Sequence, residues 1–175
     1  MSIDEHRHRS PRAIAVYIVT FSDTRDESSD ATGAGIRVML ENASHRVVGK
    51  SIWREEREPL RVEMQRLLQR DDFEVVIVNG GTGIAPRDLA YEILAPLYER
   101  EIPGFGELFR ALSYAEIGSA AMLSRASAGV AHGKLVFSVP GSAGAARLAL
   151  EKLILPELGH LVGELRRDLP GKRAS

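Results

Sequence analysis

The residues best suited to chemistry lie in short polar or glycine-rich segments that follow apolar runs. N-G-G-T-G-I-A-P-R-D (Asn79 to Asp88) follows the run Glu74 to Val78. Gly80, Gly81 and Gly83 let a backbone approach a ligand closely and adopt φ > 0, so that successive N–H groups form an anion nest. Thr82 adds a hydroxyl. Arg87 and Asp88 are predicted to open a helix, whose N-terminus favours phosphate; the plainer reading makes Asp88 its N-cap. P-G-S-A-G (Pro140 to Gly144) follows the run Lys134 to Val139. Here Gly141 shapes the turn, and Ser142 either caps a helix or hydrogen-bonds a phosphate oxygen. A long polar loop, Phe21 to Gly33, follows the first apolar run and reads as a binding loop that includes Ser22. Asp30 or Thr32 in it could equally be an N-cap. I-P-G-F-G-E-L-F-R (Ile102 to Arg110) places Gly104 and Gly106 around Phe105, with Glu107 starting a helical stretch. It reads either as a loop with an aromatic plug or as a ring platform beside a carboxylate. Ser124 and Arg125 are candidate anion ligands.

Other chemistries are excluded. With no cysteine in the chain there is no thiolate nucleophile, no disulfide framework and no cysteine-based metal site. The glycines form neither a Walker A loop nor the G-x-G-x-x-G fingerprint, which disfavours a nicotinamide-dependent oxidoreductase. No G-x-S-x-G elbow, H-E-x-x-H or EF-hand loop occurs. His6 and His8 on a polar tail have too few partners for a metal site. A net charge of −1, from 23 basic and 24 acidic residues, argues against a general polyanion binder and so against nucleic acid.

The elements that must position these residues follow from periodicity. Ala13–Thr20, Glu74–Val78 and Lys134–Val139 are near-continuous apolar runs, the pattern of strands covered on both faces; His45–Trp53 reads as a fourth, more exposed strand. Helical stripes recur at Ile36/Met39/Leu40/Ala43, Leu60/Met64/Leu67/Leu68, Ala90/Ile93/Leu94/Leu97 and Ala146/Leu150/Leu153/Ile154. A further stripe, Leu158/Leu161/Val162/Leu165, follows a break at Pro156. Alternation of strands and helices predicts a three-layer α/β/α fold around a mostly parallel, doubly wound sheet. Ligands of such folds bind beyond the carboxyl ends of the strands. With 175 residues the chain reads as one domain over 13–169, with an N-terminal tail at 1–12 and a frayed C-terminal tail at 170–175. The longest strongly apolar stretch, Ala13 to Val19, is far short of the about 20 residues of a membrane span. The expected compartment is the cytoplasm.

Taken in order, S-D-T-R with D-A-T-G, N-G-G-T-G-I-A-P-R-D, I-P-G-F-G-E-L-F-R-A-L-S-Y, L-S-R-A-S-A-G-V and V-P-G-S resemble the MoaB/MogA family of molybdenum cofactor biosynthesis proteins, on its MoaB branch. The resemblance spans roughly Ile14 to Ile154. It implies trimers or hexamers and adenylylation of molybdopterin by Mg-ATP. On that basis Asp88 matches an acid assigned to Mg²⁺ ligation or transition-state positioning. Gly80, Gly81, Thr82 and Gly83 would form the phosphate and pterin cradle. Glu107 would contact the ligand, and Ser124, Arg125, Pro140, Gly141 and Ser142 would complete the rim. The family's second acid stands in a Pro-Asp context; here the place reads W-R-E-E-R-E, with Glu55 the nearest match. The alternative this leaves is a non-catalytic pterin- or nucleotide-binding oligomer of the same pathway.

Overall fold

The computed structural model describes residues 13–167. The two expected tails and His6 and His8 lie outside the described residues. Six strands form one sheet, β1 (Ala15–Phe21), β2 (Arg46–Trp53), β3 (Val75–Asn79), β4 (Arg100–Glu101), β5 (Ser127–Ala131) and β6 (Lys134–Val139), in the order β2-β1-β3-β6-β5-β4. The first four strands in that order are mutually parallel; β5 and β4 join antiparallel. The three central parallel strands are buried along their whole length. Their alternate side chains feed two cores, because helices cover both faces.

On one face Val16, Ile18, Val75 and Ile77 pack with Ile36 and Leu40 of α1 (Ala31–Asn42) and with Phe105 and Phe109 of α4 (Pro103–Ile117). Ala146, Leu158 and Val162 of α5 (Ala143–Ala149) and α6 (Leu155–Arg167) complete that core. On the other face Val19, Phe21, Val76 and Val78 pack with Leu60, Met64 and Leu67 of α2 (Arg57–Leu68) and with Ala90, Ile93 and Leu94 of α3 (Ala90–Leu94). Fold class and layering match the sequence expectation. Among the described residues no helix is long and apolar enough to cross a membrane.

Several boundaries and elements differ from that expectation. Strands β4 and β5 are additional. β4 is two charged residues long, and β5 (S-A-G-V-A) has little β-branched character, so neither carries a strand pattern. β5 and β6 form a hairpin through His132 and Gly133, both with positive φ. Ile102–Arg110 is no loop: Pro103 opens α4, and Gly104 and Gly106 lie in its first turns. Phe105 is buried against Phe137, with ring centroids 5.3 Å apart, so it is a core residue and not a ligand platform. α1 begins at Ala31, earlier than the apolar stripe, because Asp30 caps it. The expected break at Pro156 does not occur: a π turn at Leu150–Ile154 joins α5 to α6 in one continuous helical run, and the irregular turn directly precedes the proline.

Candidate functional site

Because the chain runs from β1 to the edge strand β2 and then returns to β3 on the other side, the sheet has its switch point between β1 and β3. A crevice must open beyond their carboxyl ends. The turn after β3 fills that position. Gly80 donates its N–H to the Val139 carbonyl at 3.0 Å, tying the end of β3 to the end of β6. Its φ is +103°, and a Cβ there would lie 2.3 Å from the Phe21 carbonyl oxygen at the end of β1. Gly81 has φ +65°. A Cβ on Gly141 would lie 3.2 Å from the Gly80 Cα. Three strand ends thus meet at spacings that only glycine permits.

Two carboxylates flank this turn. Asp88 Oδ2 accepts the Ala85 N–H at 2.8 Å, folding the side chain back across the loop towards Gly83. Glu55 enters from beyond β2, and its Oε2 accepts the Leu89 N–H at 3.4 Å. That same oxygen lies 2.7 Å from where a Cβ on Gly81 would stand. The Glu55 N–H in turn donates to Asp23 Oδ1 at 2.9 Å, so the β1 loop positions it. Burial pushes the Glu55 carboxyl above the usual carboxylate range, and the nearby charges of Asp88 and Asp23 push the same way. Arg87 is exposed close enough to oppose that rise. Among the described residues no group of three or more acidic or histidine side chains could hold a metal ion.

Asp88 does not cap a helix. It closes a turn, donating its N–H to the Ala85 carbonyl at 2.9 Å, and α3 starts later, at Ala90, with no side-chain cap at Leu89. α3 has only five residues, so the anion preference of a long helix start is weak here.

Asp30, placed in the binding loop by the sequence and also offered there as an N-cap, takes the capping role on α1. It is 1% exposed. Its Oδ1 accepts the Gly33 N–H at 3.0 Å, and its Oδ2 accepts both the Thr20 hydroxyl at 2.8 Å and the Lys50 ammonium at 2.9 Å. Burial alone would raise its pKa, but these donors together hold it below the ordinary value. Its oxygens are taken internally, and Asp30 ties β1 and β2 to the start of α1. Asn79 extends the same network, donating Nδ2 to Thr20 Oγ1 at 2.8 Å. Arg25 Nη2 and the Thr32 hydroxyl both donate to the Gly141 carbonyl, at 3.0 and 2.9 Å, so the β1 loop also orients the turn after β6. Half-buried Pro140 leads into that turn, and Ser142 caps α5 by accepting the Ala145 N–H at 3.3 Å. Ser22 Oγ accepts the N–H groups of Thr24 and Arg25, turning its loop back towards β2.

Arg125, read as a candidate anion ligand, is engaged by the protein's own groups. Its Nε donates to the Gly83 carbonyl at 2.8 Å and its Nη2 to the Asp88 carbonyl at 2.8 Å, while Nη1 and Nη2 grip Glu92. Its N–H donates to the carbonyl of Thr82, itself a buried residue. Ser124 and Arg125 line a second cleft of about 350 Å³ with Glu107, Gly106 and Arg110. Glu107 is exposed there, on the outer side of α4. Gly104 has open space where a Cβ would be, so no close approach demands it. Gly106 does need its missing Cβ, which would lie 2.7 Å from the Ala126 carbonyl oxygen. The supporting residues Asp23, Lys50, Glu92 and Arg110 went unread in the sequence. Each acts across a sequence separation of 14 to 33 residues, for which spacing offers no signal.

Fold and site define a doubly wound α/β protein whose glycine turns meet at its switch point. Residues 17–160 match the family described as "Probable molybdopterin binding domain". The chain belongs to this family, in its MoaB/MogA group of molybdenum cofactor biosynthesis proteins. It is 48% identical to molybdenum cofactor biosynthesis protein B of Bacillus cereus over 169 residues, covering 96% of this chain and 100% of that one. The protein of the same name from Bacillus subtilis is 45% identical over 169 residues, with 96% and 99% covered. The crystal structure of the tungsten cofactor synthesizing protein MoaB from Pyrococcus furiosus superposes with a TM-score of 0.80 at 33% identity, covering 90% of this chain and 99% of that one.

Proposed function

We propose that this chain transfers the adenylyl group of Mg-ATP to the phosphate of molybdopterin. A phosphate oxygen of the pterin attacks the α-phosphorus, the bond to the bridging oxygen of the β-phosphate breaks, and pyrophosphate leaves. The observation that supports this reading is the convergence of Asp88 and Glu55 on the Gly81–Gly83 turn, where three parallel strands end. Phosphoryl chemistry of this kind asks a protein mainly for positioning and charge neutralisation.

The donor set suits the cation. Mg²⁺ takes one or two protein carboxylates and completes its shell with water and phosphate oxygens. Asp88 and Glu55 supply two, each with one oxygen engaged by a loop amide. Burial chiefly raises the Glu55 carboxyl, and the charges of Asp88 and Asp23 add to it; a bound cation would relieve that second contribution. Mg²⁺ would supply neutralisation of phosphate charge. The glycine turn would hold phosphate oxygens on its amides, and Arg87 would add positive charge at the rim.

Purified protein given molybdopterin and Mg-ATP should yield adenylyl-molybdopterin and pyrophosphate, and Asp88→Asn should abolish the product. Folded wild-type protein without turnover overturns the reading. One observation favours a second reading, a binding protein without catalysis: Glu55 is one methylene longer than Asp, and its carboxyl is raised. Ligand would then bind without pyrophosphate release, and Glu55→Asp would increase turnover. We also take the active form to be a homo-oligomer, a trimer or hexamer, in the cytoplasm. Exposed Leu108, Tyr114, Ile117 and Met122, on α4 and the turns after it, offer apolar surface for association. A stable monomer by light scattering at micromolar concentration would refute that.

A further inference from the structure

We propose that Arg125 is the positioning residue of this crevice, holding the 82–88 loop, and with it Asp88, in place while Glu92 aligns the guanidinium. The consequence for turnover rests on the adenylyl-transfer reading; the effect on the loop does not.

The 82–88 loop's own restraint is the pair of hydrogen bonds between Ala85 and Asp88. The loop leads into a five-residue helix that has no side-chain cap, and Ile84 at its tip is 69% exposed. Arg125 spans it. The Arg125 N–H and Nε bind the carbonyls of Thr82 and Gly83 at its start, and Nη2 binds the Asp88 carbonyl at its end. Glu92 on α3 takes both Nη1 and Nη2, fixing the plane of the fork. That bond also holds the Glu92 carboxyl below its ordinary range. The planar guanidinium can serve these divergent acceptors at once, whereas a lysine ammonium is a single point donor.

Arg125 is itself anchored. Arg110 of α4 donates Nη1 to the carbonyls of Ser124 and Ala126, at 3.4 and 3.3 Å, on both sides of Arg125. Gly106 leaves the room for this, since a Cβ there would lie 3.0 Å from Arg110 Nη1. A continuous run of contacts therefore leads from α4 to Asp88. Arg125 forms a wall shared by the cleft containing Glu107 and a second of about 310 Å³ containing Asp88 and Leu89. Its guanidinium donors point inward at loop and helix, which fits support of the site better than direct capture of an anion.

Hydrogen exchange of the ligand-free protein tests this in Arg125→Lys and Glu92→Gln. Amides of residues 82–89 should exchange about tenfold faster in Arg125→Lys, while β1, β3 and β6 keep wild-type protection. Glu92→Gln should move the same amides by a smaller factor, and it carries the test if the lysine variant does not fold. In the adenylyl-transfer assay the Mg²⁺ concentration for half-maximal rate should rise about tenfold in Arg125→Lys. Unchanged exchange at 82–89 in both variants, or loosening spread equally over the sheet, overturns the proposal. A wild-type protein without turnover would sink adenylyl transfer, and the exchange data would still decide the role of Arg125.

Discussion

Gly83 and Asp88 stand so close that a methyl group on Gly83 would lie 2.5 Å from Asp88 Oδ2. The carboxylate occupies the space a side chain would need. Gly83→Ala must therefore rotate Asp88 away from the Ala85 amide that holds it. The fold tolerates this cheaply, since the displaced atom ends a short side chain at the loop. On the proposed adenylyl-transfer reading the rate should fall at least about tenfold, while the urea midpoint shifts by the equivalent of less than about 1 kcal/mol. A rate near wild type would contradict the placement of Asp88 in the site.

Gly80 answers to a different constraint. Its φ of +103° and the Phe21 carbonyl oxygen, 2.3 Å from a would-be Cβ, oppose any side chain. The clash is with backbone of the central strand and cannot be relieved by rotating a side chain. Gly80→Ala should destabilise the protein by about 3 kcal/mol, combining backbone strain with the displaced strand end. Equilibrium urea unfolding with an unchanged slope would check it.

Asp30 should matter to stability more than to ligand contact. Asp30→Ala leaves Lys50 without its buried partner and α1 without its cap, at a cost of about 3 kcal/mol. The pH dependence follows from the lowered carboxyl. A group whose folded pKa lies below its unfolded value stabilises above the unfolded value, about 3.9, and that contribution fades as pH falls through the folded one. Wild-type protein should lose stability on acidification below about pH 4, and Asp30→Asn should flatten that part of the curve. Thermal melts from pH 7 downward would show it.

Glu55 carries the opposite sign. Its carboxyl is raised, so the folded state binds that proton more tightly than the unfolded chain, and ionised Glu55 works against folding at neutral pH. Glu55→Gln keeps an oxygen for the Leu89 N–H and removes the charge beside Asp88 and Asp23. Its Tm at pH 7 should equal or exceed that of wild type. Mg-nucleotide affinity measured by calorimetry should fall in the variant. In wild type it should weaken on acidification at a pH above the ordinary glutamate range, a dependence the variant should lack.

The core elements and the glycine turns were legible because they depend on local chemistry. Continuous apolar runs announced β1, β3 and β6 because strands covered on both faces have no polar side to show. The N-G-G-T-G and P-G-S segments announced strand ends because few residues but glycine tolerate such close backbone approach. Strands β4 and β5 stayed hidden because their residues carry no β signature, and the pairing of edge strand β4 with β5 spans almost thirty residues of chain. The start of α4 was misread because Gly104 and Gly106 suggest a loop, whereas the contacts of Phe105 with Phe109 and Phe137 draw the segment into a helix.

Residue types and order were enough to name the family and the layered fold, and to point to the Gly80–Asp88 segment at a strand end. The role of each charged side chain was decided only by folding. Asp30 and Arg125 carry the same charges as groups that bind ligands, yet one lies sealed under α1 and the other is spent on Glu92 and loop carbonyls. Glu55 stood out in the sequence only as the nearest match to the family's second acid, and β2 carries it to the Leu89 amide, beside the charge of Asp88. A charge acts through the neighbours that bury it, bond it or oppose it, and those neighbours come from strands far apart in the chain.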